Sequence, residues 1–165
     1  MTDAESISIR TIRPEDNAAI AKIIRDALAE FGANHPGTVF DDPSTDHLYE
    51  LFSATPRSVY FIAERNGIIL GGAGIYPTEA LPDGTCEIVK IYLSPQARGS
   101  GLGGTLIRKS LEAAKDFGYS QVYLESMPEL RQALSVYEHY GFRYIPAAMG
   151  NSGHTGCDVF MIRAL

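Results

Sequence analysis

The 165-residue sequence has no tryptophan and only two cysteines. Cys86 and Cys157 fit neither the ligand spacing of a metal site nor the framework of a disulfide-rich domain. We therefore predict that the protein binds no metal. Because disulfides are rare where thiols are kept reduced, we also predict that the two cysteines are small, unpaired side chains of strands.

Long hydrophobic runs and blocks of basic residues are missing as well. The longest apolar stretch, Ile68 to Tyr76, is interrupted by glycines and is too short to span a membrane. The first residues, Met1 to Glu5, are acidic, whereas a secretory signal starts basic and then turns apolar. The net charge of −6 disfavours nucleic-acid binding by the whole surface and slightly favours a basic small-molecule or peptide substrate. These features predict a cytoplasmic protein that binds neither membranes nor nucleic acid.

The composition that remains is typical of one globular domain. Hydrophobic residues make up 45% of the chain and charged residues 21%, and the length is too small for two ordinary domains. No internal repeat is visible, so we predict a single domain over residues 1–165.

Hydrophobic periodicity, turn residues and capping signals divide the chain into eleven elements in the order β-α-α-β-β-β-α-β-α-β-β. Hairpins and crossover helices both occur in this order, which indicates an α/β sheet of mixed strand direction. The predicted strands cover 7–12, 59–63, 68–76, 85–93, 121–125, 142–145 and 158–162, and the predicted helices cover 14–31, 42–52, 101–117 and 126–140.

The strongest functional signal is the glycine-rich segment Ser94 to Gly104, which connects a predicted strand to a predicted helix. Glycines let the backbone approach a ligand closely. The first amides of a helix have no partner within the helix and lie at the positive end of its dipole. A pyrophosphate is therefore the expected ligand of this segment.

Other phosphate-binding motifs fit this segment less well. A Walker loop needs a lysine directly after its glycines, and none is present. Gly99, Gly101 and Gly104 match the dinucleotide pattern G-x-G-x-x-G, and Glu125 follows at about the expected distance of roughly 20 residues. However, five residues, Ser94 to Arg98, separate the glycines from the strand, whereas the dinucleotide turn follows its strand almost directly. Too little chain also follows the motif for a doubly wound sheet. A merely flexible loop would explain neither the arginine nor the helix.

Three segments resemble motifs of the GNAT acetyltransferases, in the family's order. Gln96 to Gly101 is similar to the Q/R-x-x-G-x-G/A signature. Ile9 to Asp16 resembles the family's opening strand with its R-x-x-D motif, and Leu134 to Phe142 resembles the late helix in which an aromatic pair precedes Gly-Phe. The resemblance covers nearly the whole chain. It implies the GNAT fold, a mixed but mostly antiparallel sheet flanked by helices, and acetyl transfer from acetyl-CoA to an amine.

The resemblance also implies where acetyl-CoA binds. Its arm would enter a V-shaped opening between the strand before the glycine loop and the next strand. The pantetheine contacts would fall on the backbone of Ile91, Tyr92 and Leu93. Arg98 would add positive charge at the rim. The pyrophosphate contacts would fall on the backbone of the loop and first helical turn, at Gly99, Ser100, Gly101, Leu102, Gly103 and Gly104.

Transfer to an amine needs a base, and Glu87 is the first candidate. It matches the glutamate that histone-acetylating members of the family use as base. Strict alternation places Glu87, Val89, Ile91 and Leu93 on one face of the strand, where burial would raise the pKa of the single carboxyl group. The alternative is a glutamate at the start of a strand that reaches solvent or pairs with Lys90 or with an arginine.

Three further side chains are candidates for catalysis. Glu125 matches the position used by relatives that acetylate protein N-termini, although their usual asparagine is replaced by Leu130 here, and it is also explained as a strand-end residue. Tyr137 occupies the family's tyrosine position near the CoA sulfur, where a protonated phenol can act as acid. The alternative is that Tyr137 only packs, as one of the apolar residues on one face of its helix. His154, in a Gly-rich loop between the last strands, is a candidate for substrate contact or for a second base, or is incidental.

The sequence thus predicts an acetyl-CoA-dependent N-acetyltransferase that acts on a primary amine of a small molecule or peptide in a ternary complex. The alternative is a non-catalytic acyl-CoA-binding or regulatory module on the same fold. Asp41, Asp42 and Asp46 would suit a cationic acceptor. The oligomeric state is left open, a homodimer included.

Overall fold

The computed structural model describes residues 6–165, so the acidic segment 1–5 used to predict the compartment lies outside the described residues. Seven strands and four α-helices follow the predicted order. The strands are β1 Ser8–Thr11, β2 Val59–Arg65, β3 Ile68–Tyr76, β4 Thr85–Leu93, β5 Gln121–Ser126, β6 Arg143–Ile145 and β7 Val159–Ala164. The helices are α1 Asn17–Glu30, α2 Leu48–Ser53, α3 Leu102–Asp116 and α4 Arg131–His139.

All seven strands form one sheet in the order β1-β2-β3-β4-β5-β7-β6. The β4–β5 pair is parallel because the crossover helix α3 connects these two strands, and the other pairs are antiparallel. Helices α1 and α2 bury apolar side chains on one face of the sheet, and α3 and α4 cover the other. The predicted fold class and element order are therefore confirmed.

The sheet opens at its centre. Strands β4 and β5 pair only from Thr85 to Glu87, and beyond Glu87 neither strand pairs with the other. Strand β5 instead continues along β7 as far as Ser126. The part of β4 from Ile88 to Leu93 therefore presents a free backbone edge to the gap, which is the V-shaped opening that the resemblance implied.

A β-bulge in β4 changes which side chains face which way. Gly74 pairs with Val89, but the next paired residues are Gly72 and Tyr92, so Ala73 lies opposite two residues, Lys90 and Ile91. Lys90 has a left-handed φ of 51°, which is unusual for a residue with a side chain.

The prediction that Glu87, Val89, Ile91 and Leu93 share one face is therefore wrong. Val89 packs on the face covered by α1 and α2, whereas Ile91 and Leu93 pack on the α3 face. The physical reason is that the extra residue of a bulge breaks the two-residue period of a strand.

Tyr60, on β2, reaches across β3 and holds the bulge of β4 in place. Its hydroxyl donates a hydrogen bond of 2.7 Å to the carbonyl oxygen of Lys90. Its ring lies so close to β3 that a Cβ at Gly72 or Gly74 would come within 2.6 Å of it. The glycines of β3 thus make room for a buried aromatic ring that fixes the backbone of β4.

Two helix starts differ from the prediction. Ser126 is the last residue of β5 and pairs with Val159, and the helix begins only at Arg131, so the predicted helix start at residue 126 is wrong. Pro128 explains the difference, because a proline disfavours helical geometry at the residue before it. Asp42 does accept a hydrogen bond from the amide of Ser44, but it caps a short 3₁₀ turn rather than α2 itself.

No helix within residues 6–165 is long and apolar enough to cross a membrane.

Candidate active site

The glycine loop forms a row of unsatisfied amides at the start of α3. Among the described residues, no acceptor binds the N–H groups from Gly99 to Gly104, and the first bonded amide is that of Thr105, which donates to Gly101. Gly99 and Gly101 have left-handed φ values of 78° and 79°, and a Cβ at either position would point into open space. The loop therefore requires glycine for its backbone conformation and leaves a cradle of donors suited to an anion.

The side chain of Arg98 closes one side of this cradle. It forms an ion pair of 2.6 Å with Glu30 at the end of α1 and stacks on the ring of Phe31 at 4.8 Å. It also donates to the carbonyl oxygen of Leu93. Arg98 therefore connects the cradle to α1 across the mouth of the opening.

Gly104 is needed for a different reason. A Cβ at this position would lie 2.3 Å from the hydroxyl oxygen of Tyr140, which also accepts a hydrogen bond from Arg108. The glycine therefore permits close packing of α3 against the end of α4. This contact also gives Tyr140 a structural role.

The opening between β4 and β5 forms a first cavity of about 530 Å³, lined by the β4 edge, the glycine loop, the end of β5 and α4. Every residue predicted to bind the cofactor lines it except Ser100, whose hydroxyl donates to the carbonyl oxygen of Ala97. The four catalytic candidates line it too: Glu87, Glu125, Tyr137 and His154.

A second cavity of about 350 Å³ lies on the α2 side of β4. Its wall combines apolar and polar side chains from segments far apart in the chain. Four residues line both cavities and form a wall that the two share: Glu87, Val89, Lys90 and His154.

Glu87 is buried, with 3% of its surface exposed. Burial raises the pKa of its carboxyl group to about 7, with a further upward contribution from the charge of Glu125. The hydroxyl of Thr78 donates a hydrogen bond of 2.6 Å to its Oε1 and acts in the opposite direction. No ion pair with Lys90 forms, so the alternative of an exposed or lysine-paired glutamate is wrong. A carboxyl group with this pKa can exchange protons near neutral pH.

The other two candidate bases are held by neighbouring side chains. Glu125 accepts hydrogen bonds from the hydroxyls of Tyr123 and Ser152, one on each carboxylate oxygen. His154 places its Nε2 2.7 Å from Oδ2 of Asp42, so only Nδ1 of the imidazole remains available. Contact with His154 also lowers the pKa of Asp42.

Tyr137 is buried in α4 and packs edge-on against Phe142, with ring centroids 6.1 Å apart. Burial raises the pKa of its hydroxyl, so the phenol keeps its proton at neutral pH. Its hydroxyl forms no hydrogen bond with any residue of the described part of the chain. The ring of Tyr137 therefore has a packing role, while its hydroxyl is a free hydrogen-bond donor in the first cavity.

Sequence reasoning missed the residues that hold these groups, namely Tyr60, Thr78, Tyr123 and Ser152, and it treated Lys90 only as a partner for Glu87. Of the three acidic residues expected to attract a cationic acceptor, only Asp42 lines the second cavity. Asp46 pairs instead with Arg25. The glycines of β3 were the sequence feature that could have revealed the bulge, because glycines within a strand indicate a bulge or a close backbone contact.

Comparison with known proteins agrees with this geometry. The family model for the acetyltransferase (GNAT) family matches residues 20–142. The uncharacterized N-acetyltransferase YjgM of Escherichia coli strain K12 is 38% identical over 162 residues, which cover 98% of this chain and 96% of that relative.

Two solved structures share the fold. A GNAT-family acetyltransferase from Staphylococcus aureus Mu50 superposes with a TM-score of 0.84 at 19% identity, covering 97% of this chain and 99% of that one. The acetyltransferase yncA of Salmonella typhimurium, solved with its cofactor acetyl-CoA, has a TM-score of 0.74 at 23% identity, covering 96% and 94% of the two chains. The chain therefore belongs to the GNAT family of acetyltransferases.

Proposed function

We propose that this protein transfers an acetyl group from acetyl-CoA directly to a primary amine while both substrates are bound. The observation that carries the proposal is that Glu87, a buried carboxyl group whose pKa is raised to about 7, lines both cavities. A donor in one cavity and an acceptor in the other would meet beside a group able to take a proton.

The first cavity fits acetyl-CoA. The unsatisfied amides from Gly99 to Gly104 suit its pyrophosphate, and Arg98, which is paired with Glu30, lines the same cavity beside them. The free edge of β4 from Ile91 to Leu93 suits the amide groups of the pantetheine arm. Acetyl-CoA supplies the thioester from which the acetyl group is transferred. The acetyl-CoA-bound neighbour of the same fold supports this assignment.

Glu87 and Tyr137 serve as base and acid in this proposal. Glu87 takes the proton that the amine loses as its nitrogen bonds to the acetyl carbon. Tyr137 donates a proton to the sulfur as the carbon–sulfur bond breaks, so that a free thiol leaves. The hydroxyl of Tyr137 is suited to this role because it is protonated and has no partner among residues 6–165.

Glu125 and His154 are the remaining candidates for the base. Both carboxylate oxygens of Glu125 already accept hydrogen bonds, and Asp42 occupies one nitrogen of His154. Glu87 accepts one hydrogen bond, from Thr78 on Oε1, and burial raises the pKa of its carboxyl group to about 7, which suits a base near neutral pH. We therefore assign the base to Glu87 and a substrate-contacting role to His154.

The test is thiol release from acetyl-CoA with a panel of amines, ranging from amino acids and small alkyl amines to peptides. We expect release with at least one acceptor, together with a mass gain of one acetyl group on that acceptor. CoA binding without release on any amine would favour the acyl-CoA-binding module. Stabilisation of the fold by NAD but not by CoA would favour a dinucleotide enzyme.

A cytoplasmic location, the absence of metal and nucleic-acid binding and a single domain stay predictions, and the oligomeric state stays open.

A further inference from the structure

Lys90 is a buried cation for which the catalytic steps above have no use. It is 8% exposed, and its ammonium forms no ion pair or hydrogen bond with any of residues 6–165. Lysines are almost never buried without a partner, because removing a charge from water is costly. Burial accordingly lowers the pKa of Lys90.

The acidic groups nearest to Lys90 are engaged elsewhere. The charges of Asp42 and Glu87 raise the pKa of Lys90, but neither carboxyl group contacts its ammonium group. Asp42 is bound by His154 and by the amide of Ser44, and Glu87 by Thr78. The ammonium group thus lies among carboxyl groups that stabilise its charge from a distance and leave its donors unused.

The backbone fixes the position of this cation. Lys90 is the bulge residue with the left-handed φ of 51°, and its carbonyl oxygen is held by the hydroxyl of Tyr60. A left-handed conformation strains a residue that has a Cβ atom, so glycine or asparagine would be the less strained choice here. A lysine at a strained position, 8% exposed and lining both cavities, is placed to offer its charge to a bound ligand.

We infer that Lys90 binds an anionic group on the acceptor, so that the second cavity takes a small α-amino acid or an aminophosphonate rather than a simple amine. This inference rests on the proposed function. Lys90 and Glu87 line both cavities, which would bring the anion to the lysine while the amine lies beside the glutamate.

The apolar part of the second cavity suits the side chain of such a molecule. Leu51, Phe52 and Tyr76 supply an apolar wall for an aliphatic or aromatic side chain. A lysine side chain of a protein carries no anion near its amine, and a protein N-terminus carries a neutral amide where an amino acid has its carboxylate. The inference therefore restricts the proposed acceptors, which were small molecules and peptides in general, to free amino acids and aminophosphonates with an aliphatic or aromatic side chain.

The first experiment compares matched acceptors on the wild-type enzyme. Leucine is paired with 3-methylbutylamine and phenylalanine with 2-phenylethylamine, which differ only by the carboxylate. Because a hydrogen bond to a charged group contributes strongly to binding, we expect kcat/KM to be about 10- to 100-fold higher for the acid of each pair. The 1-aminoalkylphosphonate analogues of both acids then tell which anion is preferred.

The second experiment changes the lysine. Lys90→Met keeps an unbranched side chain of similar length, and therefore the same backbone strain, but removes the charge. We expect the acid-to-amine ratio to fall toward 1, while Lys90→Arg keeps a ratio well above 1. The affinity for CoA, measured by calorimetry, should be the same in all three proteins, which would exclude a role of Lys90 in holding the CoA phosphates and would report an intact fold.

The possible outcomes separate the two proposals. Acetylation of amines without any preference for the anionic acceptors overturns the inference and leaves the proposed function intact. A preference that persists in Lys90→Met also overturns it. If no amine is acetylated at all, the proposed function fails and the inference fails with it.

Discussion

The two cavities on either side of β4 are built in different ways. The first contains a backbone cradle, formed by the free edge of β4 and the glycine loop within Glu87 to Gly104, and is closed by side chains of α1, β5 and α4. The second is made of side chains from α2, the end of β3, β4 and the loop before β7. A backbone cradle needs only glycines and a helix start, whereas a side-chain site needs many segments to come together.

This difference matches the tasks that we propose for the two cavities. A backbone cradle recognises phosphates and amide groups, which every acyl-CoA molecule carries. A wall of side chains can be adapted to one acceptor by single substitutions. Changes in the two regions should therefore affect different measured quantities, CoA affinity on one side and turnover or acceptor choice on the other.

The largest effect is expected from Glu87→Gln, which removes the base and keeps the shape. A positioned base contributes typically 10²–10⁴-fold to a rate, so we expect kcat to fall by about that factor. CoA affinity should stay unchanged, because the cradle lies at the other end of β4. Steady-state kinetics with the best amine and calorimetry with CoA measure the two quantities.

The pH dependence of kcat/KM gives a second readout for the same change. The carboxyl group can accept a proton only when ionised, so the wild-type value should rise with pH and level off above its pKa of about 7. This inflection should vanish in Glu87→Gln. If the variant keeps both the rate and the inflection, the base is Glu125, His154 or a water chain.

Tyr137→Phe should have the next largest effect. It removes the proposed acid but keeps the ring that packs against Phe142, so we expect kcat to fall by about 10- to 100-fold with little loss of stability. Tyr140→Phe is the matched control, because its hydroxyl contacts Arg108 rather than the first cavity. Equal effects of the two substitutions on kcat would argue against the acid role.

Gly101→Ala tests the cradle. Its φ of 79° is strained for alanine, which should shift the loop and weaken CoA binding by about tenfold. Gly67→Ala is the control, since Gly67 has nearly the same φ, 77°, in the β2–β3 turn and also has open space around it. Calorimetry should detect weaker CoA binding only for Gly101→Ala. A loss in both variants would indicate general destabilisation instead.

The smallest effect is expected from Thr78→Val. The threonine hydroxyl lowers the pKa of Glu87, so its removal should raise that pKa further and shift the pH profile of kcat/KM upward. At pH 7 we expect a rate about two- to fivefold lower, with recovery at higher pH. Thr55→Val is the control. The Thr55 hydroxyl bonds to α2 and to the Tyr76 hydroxyl, so its removal should leave the pH profile unchanged. An unshifted profile in Thr78→Val would contradict the electrostatic role of the threonine.

The same contrast explains what the sequence could predict. Element order and fold class follow from hydrophobic periodicity, and the strands 68–76 and 85–93 match their predicted bounds. The cofactor cradle of the first cavity was predictable because its residues, from Ile91 to Gly104, are adjacent in the chain and their chemistry depends on backbone geometry.

The second cavity was not predictable in this way. Asp42 and His154 are 112 residues apart, and nothing local to either residue indicates that they contact each other. The bulge at Lys90 is equally hidden, because it depends on the packing of Tyr60 against the glycines of β3. Long-range packing of this kind changes the face of a side chain without changing the local pattern.

The central claim is direct transfer between two substrates that meet at Glu87, and bisubstrate initial-rate kinetics test it most directly. Rates are measured over a matrix of acetyl-CoA and amine concentrations, and the protein is examined by mass spectrometry after incubation with acetyl-CoA alone. We predict intersecting double-reciprocal lines and no acetylated protein. Burial raises the pKa of the Cys157 thiol to about 12, so this residue of the first cavity is a poor nucleophile at neutral pH. Parallel lines together with an acetyl group on Cys157 would contradict the account.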